Sequence, residues 1–375
     1  MSRFFSKDLE SLSPYTPGEQ PKEAGLIKLN TNENPYGPGP KVVEVLRAQT
    51  TEILRLYPDP ECRELTLAIE AYYQLSPGQV MVGNGSDEIL GFAFIAYSGE
   101  DKKIIFPETS YGFYQVFGRV FKADFETVPL KEDLTIDPSD YYNAKGTIVL
   151  ANPNAPTGMG LTRNEIEGIL QTNPDNLVII DEAYVDFGGE SCVPLIDKYD
   201  NLLVIQTFSK SRSLAGCRVG FALGNKEIIA DLNRIKNSFN PYNLDRLAIG
   251  IATAAINDSE YFEATRQEIM ETREWFASEM TKRGFKVLPS QANFVFAKYG
   301  QLTSLEAERL NELGISVSGK AYFDALRGKN ILVRHFDKPQ ICDYVRITIG
   351  TKAEMEQLLM ATNAILMEFN VIKEK

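Results

Sequence analysis

Five short apolar runs, each breaking off in a cluster of polar residues, constrain this chain more than any other feature. They fall at 79–82, 103–106, 147–150, 177–180 and 202–206. They are rich in Val, Ile and Leu without polar alternation, the pattern of strands buried on both faces. Helical patterns lie between them; 161–171 is one, and Thr162 with Glu165 forms a T-x-x-E capping box at its start. Strands alternating with helices predict an α/β fold in which a mostly parallel, mixed sheet is sandwiched by helices. Past residue 257 the character changes. An amphipathic helix is expected over 260–283, stopped by Gly284, then strands at 286–288 and 293–297 and a helix over 304–313. Strands at 331–334 and 344–349 follow, and a last helix opens at Thr351 with Glu354 completing a second capping box. The expected division is a large domain over 41–257 and a smaller α+β domain built from 1–40 and 258–375, in which 12–40, dense in Pro, Asn and Gly, reads as an irregular arm.

Ligands of an open α/β sheet collect beyond the carboxyl ends of its strands. The first run ends in Gly83-Asn84-Gly85-Ser86-Asp87-Glu88, the third in Asn152-Pro153-Asn154-Ala155-Pro156-Thr157-Gly158, and the fourth in Asp181-Glu182-Ala183-Tyr184. The fifth ends in Thr207-Phe208-Ser209-Lys210-Ser211, with Arg218 eight positions past the lysine. An anion cradle, an acid, a phenol, a lysine and an arginine are thereby brought toward one crevice.

Charge and composition narrow the chemistry. Thirty-nine basic against 51 acidic residues leave a net charge of −12, which argues against nucleic-acid or anionic-membrane partners. The single histidine, His335, makes a Ser-His-Asp triad or a histidine-rich metal centre improbable, and no metal is expected. Cys62, Cys192, Cys217 and Cys342 show no paired spacing, as in a reduced cytoplasmic protein. The first twenty residues carry no secretory pattern and no apolar run approaches membrane-spanning length. A Gly83-x-Gly85 turn after a strand invites a nicotinamide reading, but Glu88 stands where a third glycine belongs.

Pyridoxal 5′-phosphate needs the set at the strand ends: a lysine amine for its aldehyde, a carboxylate at its ring nitrogen, a phenol or amide at its 3-oxygen, and an anion cradle for its phosphate. Asp181, Tyr184, the turn Gly85-Ser86-Asp87, Thr207, Ser209, Lys210 and Arg218 fill those places. With these residues the chain resembles the fold-type I pyridoxal-phosphate aminotransferases, from about Leu29 to the last helix. The segments Asn32-Glu33-Asn34-Pro35-Tyr36-Gly37, Pro241-Tyr242-Asn243 and Arg346-Ile347-Thr348-Ile349-Gly350-Thr351 are similar to the histidinol-phosphate branch.

The resemblance implies roles. Lys210 carries the cofactor and moves the proton, Asp181 pairs with the ring nitrogen, Tyr184 bonds the 3-oxygen and Tyr111 stacks on the ring. Tyr57 reaches the phosphate in a neighbouring subunit, so a homodimer is expected. Arg346 binds the carboxylate of glutamate or 2-oxoglutarate, while Arg334 and Tyr36 bind the phosphate of histidinol phosphate. The family commonly reads Asn-Pro-Thr-Gly where this chain has Ala155-Pro156-Thr157-Gly158, which leaves Asn154 as the substitute donor. The resemblance leaves open an aromatic amino-acid aminotransferase or a threonine-phosphate decarboxylase on the same lysine, and a non-catalytic cofactor-binding regulator, against which the acidic charge counts. Read in isolation, Arg334 and Arg346 would pair with Asp337 or Glu354, and Asp181 would cap a helix.

Overall fold

A computed structural model describes residues 2–6, 9–10, 12–21, 25–48, 50–99, 102–300 and 318–369. The helix expected over 304–313 lies outside the described residues. After the two-residue β1 (Ile27–Lys28) come β2 (Val80–Gly83), β3 (Lys103–Pro107), β4 (Phe125–Val128), β5 (Gly146–Ala151), β6 (Val178–Asp181), β7 (Leu202–Thr207) and β8 (Gly220–Gly224). The last seven form one sheet in the order β2-β8-β7-β6-β5-β3-β4. All five apolar runs are strands. The sheet gains two more: β4 at an edge, parallel to β3, and β8, antiparallel to both β2 and β7.

The strands are buried on both faces because adjacent residues point to opposite sides. Ile148, Leu150, Val178, Ile180 and Val204 pack with α2 (Arg63–Tyr73), α5 (Arg163–Thr172) and α7 (Arg246–Ile256) through Ile69, Ile169 and Ile251. Val149, Ile179, Leu203 and Ile205 pack on the other side, with α3 (Gly85–Tyr97), α4 (Phe113–Val120) and α6 (Lys226–Phe239) through Ile89, Tyr114 and Leu232. Helix α5 starts at the expected box: the Thr162 side chain takes the Glu165 amide and the Glu165 carboxylate takes the Thr162 amide.

A second core gathers around α8 (Ser259–Lys282), which buries Phe262, Thr265, Ile269, Thr272, Phe276 and Met280 at helical spacing and ends before Gly284 at φ +87°. An antiparallel sheet of β9 (Phe285–Val287), β10 (Phe294–Tyr299), β12 (Arg334–His335) and β13 (Val345–Thr348) packs there, in the order β12-β13-β10-β9. The apolar run 331–334 is divided: β11 (Ile331–Leu332) pairs in parallel with β1 instead, which ties the N-terminal segment to this core. Helices α9 (Gly319–Gly328) and α10 (Lys352–Glu368) complete it, α10 opening at the Thr351–Glu354 box.

Ile179 and Ile180 are both wholly buried, on opposite faces of β6. Ile179→Ala and Ile180→Ala should each destabilise the protein by about 2–5 kcal/mol, read from urea midpoints. A near-zero effect at either position would contradict a sheet covered on both sides.

Candidate active site

Strand direction assembles the site. β2, β3, β5, β6 and β7 run the same way, so their carboxyl ends share one edge of the sheet. Because β8 runs backwards, the residues before its start reach that edge too, and Arg218 is among them. In the register, Gly220 stands between Gly83 and Thr207. A Cβ on Gly220 would come 2.4 Å from the Ser86 amide nitrogen, and one on Gly85, at φ +78°, would come 2.6 Å from the Arg218 guanidinium. The missing side chains let the amides at the start of α3 and the guanidinium face one spot, as an anion cradle requires.

A cavity of about 130 Å³ lies over this edge, lined by Ser86, Asp87, Tyr111, Ala151, Ala155, Asp181, Ala183, Tyr184, Thr207, Ser209, Lys210 and Arg218. Asp181, the last residue of β6, is buried, with its oxygens held by the Tyr114 phenol at 2.8 Å and the Ala183 amide at 3.2 Å. Burial pushes its carboxyl up to about 6, opposed by the Tyr114 hydrogen bond. A carboxylate so placed favours a cation beside it. Thr207 and Ser209 form a closed hydroxyl turn, with 3.0 Å between their oxygens. The Lys210 ammonium donates to the Thr31 carbonyl at 3.2 Å and sits 5.8 Å from the centre of the Tyr184 ring. Asp87 offers the cradle no free charge, for its carboxylate is bound by Arg218 at 2.8 Å and by the Tyr111 phenol at 2.7 Å. Burial raises the Tyr111 phenol above its ordinary range, so it stays a donor.

A second cavity of about 460 Å³ opens beside the first and shares Tyr111, Ala155, Tyr184 and Lys210 with it. Arg334 and Arg346 line it, and so do Arg119, Lys338, Tyr15 and Phe336, which the sequence reading passed over. Arg346 donates to the Asn30 carbonyl at 3.1 Å and lies 5.3 Å from the Phe294 ring, while its Nε is buried with no partner. Burial lowers its proton affinity. Arg334 donates to the Thr16 carbonyl. Neither arginine pairs with an acid among the described residues: Glu354 is engaged in its capping box and Asp337 lies 3.4 Å from His335. His335 itself bonds the Cys342 carbonyl, away from the cavities.

Two expectations need correction. Asn154 does not replace the absent amide. It is buried with its Nδ2 donating to the Thr109 carbonyl and its Oδ1 accepting from Ser110, and Ala155 faces the cavity instead. Tyr36 does not reach either cavity; its phenol meets Glu268 of α8, which, behind burial, raises it. Tyr57 is likewise outside both, 76% exposed and stacked on Tyr242 at 4.5 Å. Conversely, Asn32 and Asn34 enter the site from the arm: Asn32 donates to the Tyr184 oxygen and Asn34 to the carbonyls of Lys210 and Ser211.

A mixed, largely parallel sheet with a lysine, a buried acid and an anion cradle at one edge, beside a smaller antiparallel sheet, is the architecture of fold-type I transferases. The chain belongs to the aminotransferase class I and II family, whose model matches residues 24–361. It is 48% identical over 355 residues to a histidinol-phosphate aminotransferase of Clostridium botulinum (strain 657 / Type Ba4), spanning 95% of this chain and 96% of the relative. It is 50% identical over 366 residues to histidinol-phosphate aminotransferase 2 of Rhizobium meliloti (strain 1021), spanning 98% and 100%. Among solved structures, the histidinol-phosphate aminotransferase from Clostridium acetobutylicum matches with a TM-score of 0.80 at 26% identity, over 92% of this chain and 100% of that one. The Sinorhizobium meliloti enzyme, solved with pyridoxal-5′-phosphate, has the same fold, with a TM-score of 0.84 at 23% identity over 98% and 99%.

The position of Asp181 fixes a pH dependence. Its carboxyl is raised from 3.8 to about 6 on folding, so the unloaded native state binds the proton more tightly than the unfolded chain. The resulting penalty is absent below pH 3.8 and grows to roughly 3 kcal/mol as pH rises through about 6. Asp181→Asn should therefore stabilise the unloaded protein above pH 6 and leave it unchanged in acid, measured as the difference in urea midpoint between variant and parent.

Proposed function

We propose that this chain transfers an amino group between histidinol phosphate and 2-oxoglutarate, reversibly giving imidazole acetol phosphate and glutamate, with pyridoxal 5′-phosphate as cofactor. One observation carries the substrate reading. The larger cavity presents Arg346 and Arg334, unpaired with acids, to whatever enters from outside, and shares a wall with the Lys210 chamber. Both substrates are anionic, one by phosphate and one by carboxylate, and a planar guanidinium fork suits either. Relatives that bear the name histidinol-phosphate aminotransferase, at 48–50% identity over nearly the whole chain, support the same reading.

The residues fit the cofactor by chemistry. Bound there, it supplies an aldehyde to capture the amine and a ring to absorb the electron pair left when the α-proton departs. Asp181, buried and short of a cation, holds a proton at the ring nitrogen. The amides of Ser86 and its neighbours, with Ser209 and Arg218, take the phosphate, and Tyr184 donates to the 3-oxygen. Lys210 would hold the cofactor through its amine and, as a free amine, would move the proton at the substrate's Cα. Arg346 orients the carboxylate of glutamate; Arg334, with Lys338 and Arg119 nearby, receives the phosphate.

The working unit is a homodimer in the cytoplasm. Leu54, Leu56, Tyr57 and Tyr242 are exposed, with Tyr57 stacked on Tyr242, and in the dimer Tyr57 would reach a neighbour's phosphate cradle. The free thiols Cys62, Cys192, Cys217 and Cys342 suit a reducing compartment. The division into 41–257 and the flanking segments 1–40 and 258–375 leaves the large cavity at the seam between the units.

A panel of amino donors assayed with 2-oxoglutarate tests the substrate. Histidinol phosphate should be turned over best; preferred turnover of phenylalanine, or release of carbon dioxide, would replace it with the aromatic or decarboxylase reading. Borohydride reduction should leave the pyridoxyl label on Lys210, and Lys210→Ala should neither be labelled nor turn over. Arg346→Lys should raise KM for 2-oxoglutarate on the order of tenfold, because an ammonium cannot reproduce the bidentate fork. An unchanged KM would remove Arg346 from carboxylate binding.

A further inference from the structure

Within this proposed function, we infer that Asn32 is a positioning residue of the chamber, whose side-chain amide aims the hydroxyl proton of Tyr184 at the cofactor's 3-oxygen. The inference rests on a chain of hydrogen bonds with a single consistent direction. The Asn32 backbone N–H can only donate, and its partner at 3.0 Å is the Thr348 hydroxyl. That hydroxyl then directs its own proton to the Asn32 Oδ1, also at 3.0 Å. The other end of the amide, Nδ2, is thereby left facing the Tyr184 oxygen at 2.8 Å, where it donates. A phenol has one hydrogen. With its oxygen accepting from Asn32, that hydrogen is directed elsewhere, and Tyr184 lines the cavity that holds Lys210.

Two further features set Asn32 apart. It is 1% exposed and holds φ at +56°, a left-handed conformation uncommon for a residue other than glycine. The surroundings enforce this geometry: Asn293 donates to the Asn32 carbonyl at 3.0 Å, from the segment leading into β10. In addition, Ala155 stands where the family places an amide donor to the same oxygen, and Asn154 is turned away from the cavity. Tyr184 is left as the donor to the 3-oxygen, so the direction of its one proton matters more here than where an asparagine shares the task.

The consequence is readable without turnover. Donors at the ring oxygen disperse its negative charge; if they weaken, that charge holds the adjacent imine-nitrogen proton more tightly, and the pH midpoint of the visible cofactor band rises. Asn32→Gly keeps the positive φ and removes the amide. Asn32→Asp keeps the shape but presents an acceptor, which draws the Tyr184 proton away from the cavity. The midpoint should rise by about one pH unit in Asn32→Gly and further in Asn32→Asp, with pyridoxal phosphate retained less tightly in both. In a Tyr184→Phe background Asn32→Gly should add no further shift, because the amide then has no phenol to aim, and Asn32→Asp should add only the smaller shift of its own charge. Equal shifts in the two backgrounds would make Asn32 merely structural, and unchanged midpoints in the Tyr184 protein would mean that the phenol does not depend on it. Either result overturns the inference and leaves the proposed function standing. Failure of the unaltered protein to develop a visible band with pyridoxal phosphate would overturn both.

Discussion

β8 runs against its neighbours, and Gly220 at its start lies between Gly83 and Thr207, so that three strand segments meet at one point of the sheet edge. The rest of the site depends on this contact. Had β8 run parallel, its beginning, and Arg218 with it, would sit at the opposite edge, some five residues of extended chain away. Had Gly220 carried a side chain, its Cβ would collide with the Ser86 amide. Reversal and glycine together let an arginine and a helix start converge on the edge where β6 delivers Asp181 and the loop after β7 delivers Lys210. Parallel strands with covering helices are a common solution to burying a sheet; one reversed strand turns that solution into a site.

The groups gathered there are poorly satisfied by the protein alone. Burial lifts Asp181 to about 6, and burial also works against the charge of Arg346, whose Nε has no partner. Opposite charges buried close together would cancel each other. Here the acid lies in the small chamber and the two arginines in the outer cavity, with Tyr184 and Lys210 on the wall that both share. Each charge is thereby left open to a ligand group of opposite sign, the acid to a cation and the arginines to an anion. The cost of holding them apart is carried by the unloaded protein and removed on binding.

Much of this was legible in the sequence, for physical reasons. Strands buried on both faces cannot alternate, so the five runs stood out, and the capping boxes at Thr162 and Thr351 are local patterns that work locally. β8 escaped because Gly-Phe-Ala-Leu-Gly is short and begins and ends in glycine, and β4 because Phe-Glu-Thr-Val sits on a half-exposed edge. The Asn154 substitution failed on direction: adjacent residues of a loop face different ways, and only the fold decides that Ala155 faces the cavity. Tyr36 failed for a similar reason, since the turn at Pro35, in which Asn34 takes the Tyr36 amide, leaves its phenol by Glu268 of α8. Lys338 and Arg119 carried no local signal, because a cation lining a cavity and a cation in solvent look alike in a sequence.

The arm is where sequence distance hides most of the chemistry. Over five residues it takes a hydrogen bond from Arg346 at Asn30 and one from Lys210 at Thr31, gives one to Tyr184 from Asn32, and gives two to the carbonyls of Lys210 and Ser211 from Asn34. The same stretch is anchored to the smaller sheet, because the Leu29 carbonyl and the Asn32 amide both bond Thr348 of β13. The segment therefore belongs to the smaller core by its backbone and to the chamber by the Thr31 carbonyl and the side chains of Asn32 and Asn34. A shift of β13 against the large sheet would be felt at Tyr184 and Lys210 through a few hydrogen bonds, without any long-range rearrangement of either core. Arg346 lies on β13 as well. The strand that carries Arg346 is thus directly bonded to the segment that bonds Tyr184 and Lys210, a short physical route from the outer cavity to the inner chamber.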